Sequence, residues 1–410
     1  MAILPENPDS PVWAREDAFP DSPNGWGWVD SKKKSHPCDS LESLTTAIRE
    51  DRDASVALVW SPGHPKMILP EELEGMGDAL RTARARWTHD DLNSATHKLR
   101  WFGLVLAVLS AYSFYTSFVR NGQIADLFPR LQLALRTMLG STQAGLALLL
   151  FVIFAFIPWY QARKRGKQLG QWTEAGIAEA APTIRFETWL ERQKAPFTQI
   201  FLGLIALVGL VQLLPSDGLA AAGLVKERYL HGEWWRLLTA PFLHGNIVHF
   251  LMNAAGLLYL GKRLEVFARW PHLPLVFLFA AVIGGEASAR FVAAPSVGAS
   301  GGLMGWLGFL LVFETLHKSL VPRRARRRLA AGVALTAFIG LIGYRYIDNA
   351  AHAGGLAAGM LYALIVFPPS SSPHRPRSTV ADRIAGSTAL AVLVAAATLA
   401  AWRISIGNPG

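Results

Sequence analysis

The sequence predicts an all-α polytopic membrane protein preceded by a small α/β module, and three observations predict it. Of 410 residues, 51% are hydrophobic and only 17% charged, and mean hydropathy is +0.26. Apolar runs of span length recur from Trp101 to the C-terminal end. Basic clusters fall in alternate connections between those runs, as the positive-inside rule requires. The net charge of +10 raises nucleic acid as a partner. However, the cationic residues sit beside apolar segments rather than along one polar face, so a bilayer is the partner expected and nucleic acid is not. A single cysteine, Cys38, excludes an intrachain disulfide. The opening Met-Ala-Ile-Leu-Pro-Glu lacks a basic-then-apolar leader, so the first span is expected to act as its own insertion signal.

Residues 1–97 carry no span-length run and read as a cytosolic N-terminal region. Positions 1–38, rich in Pro, Asp, Ser and Trp, read as extended or loosely ordered. A small α/β module is expected over about 39–97. Asp39 and Glu42 have capping-box spacing, and Leu41, Leu44 and Ile48 keep a helical stripe. Ser55–Trp60 and Met67–Leu69 read as short strands around a Pro-Gly turn. Pro70-Glu-Glu-Leu then opens another helix, with proline first and acids in the first turn.

Nine spans are expected, at about 101–119, 144–160, 197–214, 246–263, 273–292, 298–317, 329–344, 350–367 and 384–402. Arg81 to Arg100 precede the first, and Arg163 to Lys167 follow the second. Lys262, Arg263 and Arg269 follow the fourth, Arg323 to Arg328 the sixth, and His374 to Arg377 the eighth. This alternation puts the N-terminus in the cytoplasm of a bacterial-type inner membrane and the 215–245 loop outside. Residues 98–196 then hold two spans and a basic linker, 197–368 a six-span core, and 369–410 a linker and a last span.

Within that core, Ser300 and His352 lie at similar shallow depth near the outer ends of the sixth and eighth spans. An ionisable group in an apolar helix is expensive and usually faces a partner or water. Glycines crowd both segments: Gly298, Gly301, Gly302, Gly305 and Gly308 on one, Gly354, Gly355 and Gly359 on the other. Small residues let helices approach closely, so the serine and the histidine can meet. A serine with a histidine base is half of an acyl-transfer site. Ser300 follows a Pro-Ser-Val-Gly-Ala loop, where free amides and the helix dipole favour an oxyanion. His249 and Asn253, spaced i, i+4, share one helix face and add two donors. Asp348 lies one turn before His352, and a Ser–His dyad is preferred to a triad. Each residue alone also has a structural reading, as a back-bonded serine, a packing histidine or tight glycine contacts. Their co-occurrence at one depth favours chemistry.

His244-Gly-Asn-Ile-Val-His249-Phe-Leu-Met-Asn253, Gly298-Ala-Ser-Gly301 and Ala351-His-Ala-Gly-Gly355 together resemble the three motifs of the rhomboid intramembrane serine proteases. Trp235-Arg236 and Glu265 fit the same pattern, and the resemblance covers about 197–368. It implies Ser300 as nucleophile and His352 as base, with His249, Asn253 and the Ser300 amide as the oxyanion site. His244 and Glu265 would be structural. Trp235-Arg236 would lie in a half-immersed outer loop that affects lateral access of substrate. Met304 departs from the pattern, because some members carry an aromatic ring four residues after the nucleophile. The function implied is hydrolysis of peptide bonds in transmembrane protein substrates, without metal or organic cofactor. The alternative is a catalytically weak or inactive rhomboid-like protein that binds membrane clients. A proton-relay transporter would need polar residues through the full bilayer depth, whereas these cluster at one end.

Overall fold

A computed structural model describes residues 10–52, 55–169, 173–214 and 217–407. The expectations for residues 1–9, including the absence of a leader, lie outside them. The chain divides into two compact units. One comprises Glu16–Arg185 and Thr336–Tyr346; the other comprises Phe186–Leu335 and Ile347–Gly410, with the short segment ending at Arg15.

The first unit begins with a three-stranded antiparallel sheet of β1 (Trp26–Asp30), β2 (Ser35–Cys38) and, after α1 (Leu41–Glu50), β3 (Val56–Trp60), in the order β2-β1-β3. The β1–β2 hairpin occupies part of the segment read as loosely ordered. Burial alternates along β1, with Gly27 and Val29 buried on one face and Trp26 and Trp28 packed on the small core from the other, where Trp28 stacks on His36 at 4.0 Å between ring centres. The hydroxyl of Ser40, rather than Asp39, caps α1 by accepting the Ser43 amide at 3.1 Å. Met67–Leu69 makes a single bridge, Val59 to Ile68, rather than a strand. Pro70–Glu72 is one 3-10 turn, and the long helix starts only after Gly75, which has positive φ. Leu44, Ile48, Val59, Met76 and Leu80 form the small core. That long helix, α2 (Gly77–Arg120), runs without interruption for 44 residues, so the expected second helix and first span are one element. It packs with α3 (Leu127–Gly140), an amphipathic helix too short to be read as a span, and with α4 (Thr142–Phe151) and α5 (Ile157–Leu169), joined through a π-helical turn at Val152–Phe156. Tyr346 Oη fills the space beside Gly145, closing the unit.

α6 (Glu174–Arg192) leads on to the helices of the second unit. In chain order they are α7 (Pro196–Val211), the short α8 (Gly218–Ala222), α9 (Lys226–Leu230) and α10 (Arg236–Thr239), then α11 (Ile247–Ala268), α12 (His272–Phe291), α13 (Ser300–Leu316), α14 (Arg323–Ile342), α15 (Asn349–Val366) and α16 (Val380–Ile406). Among the described residues five helices are long and apolar enough to cross a membrane, and six if the bent pair around Gly176–Arg192 and Pro196–Val211 counts as one span. The expected spans that fail this test do so for visible reasons. α11 carries His249, Asn253, Lys262, Arg263 and Glu265, α13 has 17 residues, and α14 opens on five arginines within six positions. Large apolar side chains such as Leu207, Leu251, Ile283 and Leu364 point outward. A polytopic membrane protein presents such a surface to lipid.

α12, α13 and α15 make the closest packing of this unit. A Cβ at Gly355 would collide with the Gly301 carbonyl, and one at Gly359 with that of Gly305. Gly284 of α12 has the same relation to the Ala351 carbonyl at 2.6 Å. Backbone therefore lies on backbone along the seam, which is what glycine at these positions permits. α16 lays a small-residue face (Gly386, Ala389, Ala396, Ala400) over α7 and α12.

Candidate active site

Ser300 is the first residue of α13, and no side chain at Ala299 caps that helix start. Its leading amides are left for another acceptor, at the positive end of the helix. Gly298, two residues earlier, has φ +122°, a conformation that a side chain resists. A Cβ there would stand 2.6 Å from His249 Cε1 and 3.4 Å from Asn253 Nδ2. The loop before the serine is thus seated directly on the His249 and Asn253 side chains. Asn253 is 6% exposed, and its amide nitrogen has no hydrogen-bond partner among the described groups. A buried, unpaired donor is costly and points to an acceptor that arrives with a ligand.

His352 stands in the first turn of α15, whose N-cap is Asp348; Asp348 Oδ1 accepts the Ala351 amide at 2.9 Å. A Cβ at Gly301 would stand 3.7 Å from the Ala351 carbonyl oxygen. The residues flanking this contact, Ser300 and His352, consequently occupy the same level of the bundle. Among the described residues they are not hydrogen-bonded to each other, so the expected 2.6–3.2 Å contact is not formed in this state. Catalytic hydrogen bonds commonly tighten only when substrate is bound. A cavity of about 40 Å³ lies beside Ser300, bounded also by Ser288, Ser296, Asp348 and Gly301. Met304 is buried one turn below the serine.

His244 is buried, with both ring nitrogens unpartnered, and packs edge-on against His249 at 5.2 Å between ring centres. Burial, and then the neighbouring His249, push its imidazole down to about 4. It is therefore a neutral packing ring that backs His249. Its main chain exchanges two hydrogen bonds with Gln212. Glu265 accepts the Phe197 and Thr198 amides at 3.2 and 2.8 Å, plus the Thr198 hydroxyl, and so supplies the acidic cap of α7. Arg236, 1% exposed, donates to the Gly223 and Ala220 carbonyls at 2.7 and 3.0 Å and pairs with Glu233. The Trp235 ring lies under both Arg236 and Arg403. In this structure the Trp-Arg pair pins the loop before α11 internally, while the neighbouring Trp234 is the exposed ring.

Two buried polar sets escaped the sequence reading. Arg263 and Glu314 form a two-bond ion pair at 2.5 and 2.9 Å with both side chains essentially inaccessible. Lys226, Ser288, Ser296 and Asp348 meet beside the loop that carries α8 to α10. Their separation in sequence by 51 residues in the first set and by 62 at the first step of the second hides them from any local pattern.

Residues 231–369 match the family model described as Rhomboid domain. The chain carries a rhomboid domain. It is 32% identical over 164 residues to RHOMBOID-like protein 4 of Arabidopsis thaliana, covering 37% of this chain and 42% of that protein. It is 33% identical over 177 residues to Rhomboid protease GluP of Bacillus subtilis (strain 168), covering 42% and 34%. It is 30% identical over 155 residues to Inactive rhomboid protein 2 of Homo sapiens, covering 36% and 18%. The matched stretch spans less than half the length of each of these relatives. Rhomboid proteins that cut and rhomboid proteins that do not are thus both similar to it.

Proposed function

We propose that the rhomboid domain is a serine endopeptidase that hydrolyses transmembrane protein substrates near the outer side of the membrane. The observation that carries this reading is the seat of Gly298. It brings the unpaired Asn253 amide, the His249 ring and the uncapped start of α13 to one spot beside Ser300.

In the reaction, His352 accepts the Ser300 Oγ proton as Oγ bonds to the scissile carbonyl carbon. Negative charge develops on the carbonyl oxygen, where the Ser300 amide, Asn253 Nδ2 and His249 donate to it. The C–N bond then breaks as His352 returns the proton to the leaving amine. Water next attacks the acyl-serine, giving its proton to His352, and the acyl C–Oγ bond then breaks as His352 returns that proton to Ser300 Oγ, freeing the acid product and restoring the starting state. The small cavity beside Ser300 has room for that water. Asp348 touches the helix carrying His352 only through its backbone cap, which favours a dyad over a triad. A substrate helix must unwind locally to expose a carbonyl, so helix-weakening residues near its outer end are the expected recognition feature.

A fluorophosphonate should label the full-length protein in detergent or liposomes. Ser300→Ala should abolish labelling, and His352→Ala should keep membrane insertion while losing cleavage. Labelling that survives in Ser300→Ala sinks the nucleophile assignment. A wild-type protein that binds membrane helices but neither labels nor cuts them favours the inactive-rhomboid alternative.

A further inference from the structure

Four polar side chains from four separate elements form one closed network beside the dyad. Lys226, at the start of α9 in the outer loop, is 7% exposed. Its ammonium donates to Ser288 Oγ at 2.7 Å, in the last turn of α12, and to Ser296 Oγ at 2.6 Å, in the loop before Ser300. Both hydroxyls donate in turn to Asp348 Oδ2, Ser296 at 2.5 Å. The other carboxylate oxygen caps α15.

One arrangement of protons satisfies both hydroxyls. Each serine accepts one hydrogen bond from lysine and spends its single proton on aspartate, so their mutual approach at 3.0 Å needs none. Such a network is a poor source of stability, because two desolvated ions seldom repay their burial. Burial indeed pushes the Lys226 ammonium down to about 8, against the pull of Asp348.

What the network joins is specific. Ser296 is bound to Leu224 by two backbone hydrogen bonds, at 2.9 and 3.1 Å, and the Gly298 amide donates to the Ala240 carbonyl at 3.0 Å. Asp348, at the other end, holds the first turn of the helix bearing His352, whose own amide donates to the Asp348 carbonyl at 3.1 Å. Ser288, Ser296 and Asp348 share the cavity wall with Ser300. We propose that Lys226 and Asp348, linked through Ser288 and Ser296, are positioning residues that hold the Ser300 loop in register with the start of the His352 helix. This rests on the protease reading. It predicts an effect on turnover rather than on substrate binding, because the network orients the reacting groups and touches no substrate.

The test measures kcat and KM on a transmembrane peptide, the rate of fluorophosphonate labelling, and thermal unfolding, all on the full chain in liposomes. Asp348→Asn is informative because asparagine caps a helix as well as aspartate but lacks the charge. Asp348→Asn and Lys226→Met should each lower kcat and labelling by about tenfold or more, with KM within about twofold. The double variant should be about as slow as the slower single one, since both break one network. Ser296→Ala, which leaves Lys226 its bond to Ser288 and is the mildest change, should lose about threefold. The inference is overturned if turnover stays near wild type in Asp348→Asn and Ser296→Ala, or if the losses of the two charge variants multiply. An active wild type with unaffected variants refutes this inference alone. A wild type that neither labels nor cleaves removes the protease reading together with it.

Discussion

Gly298 is the residue on which the candidate site turns. Its positive φ and the His249 ring 2.6 Å from a would-be Cβ leave no substitution that keeps both the loop and the oxyanion donors in place. Gly298→Ala should cost about 1–3 kcal/mol in backbone strain and slow labelling of Ser300 by about a hundredfold through misplacement. Labelling at the wild-type rate in that variant would show that the donors tolerate a shifted loop. Ser300, His352, His249 and Asn253 were legible in the sequence because their cost in an apolar helix is visible without a fold. The packing of His244 against His249, and the orphaned Asn253 amide, were not. Both depend on which rings and carbonyls arrive from the rest of the bundle.

At the level of elements, two devices hold the helices that carry these residues. The glycine seam sets α13 on α15 backbone to backbone, so the first turns of both helices arrive at one depth. The ion pair of Arg263 and Glu314 ties α11 to α13 where both side chains are closed off from the surface. Removing one partner leaves a buried charge, so Glu314→Ala should destabilise the unit by about 3–5 kcal/mol. Replacing both by apolar residues of similar size should cost far less. Denaturant titration in detergent checks this; equal losses in the two variants would mean that the pair itself, and not the stranded arginine, is what matters. The seam was legible, since glycines at spacings of three and four on two apolar segments predict close packing. The ion pair was not, because Arg263 read as one of several basic residues marking a cytoplasmic loop. The β1–β2 hairpin was missed as well. Its strands are four and five residues long and rich in Pro, Gly and polar residues, and only pairing distinguishes them from coil.

For the whole molecule, charge alternation predicts how the spans are oriented, and that orientation has a direct test. In a Cys38→Ser background, cysteine introduced at His231, in the exposed outer loop, should react with an impermeant maleimide added outside cells. Cysteine introduced at Arg323, at the basic start of α14, should react only after permeabilisation. The opposite pattern would invert the topology and put the site on the cytoplasmic side. By itself the sequence determined that this chain is helical, lives in a bilayer, and places a serine and a histidine at one depth among glycines. Those properties follow from hydropathy, spacing and charge, which each segment carries alone. Only the tertiary structure decided that α2 is continuous, that Arg236 is buried within its own loop, and that Lys226 and Asp348 share two serines beside Ser300. The last two are contacts between residues apart in the chain, and their energies exist only once packing has removed the water between them.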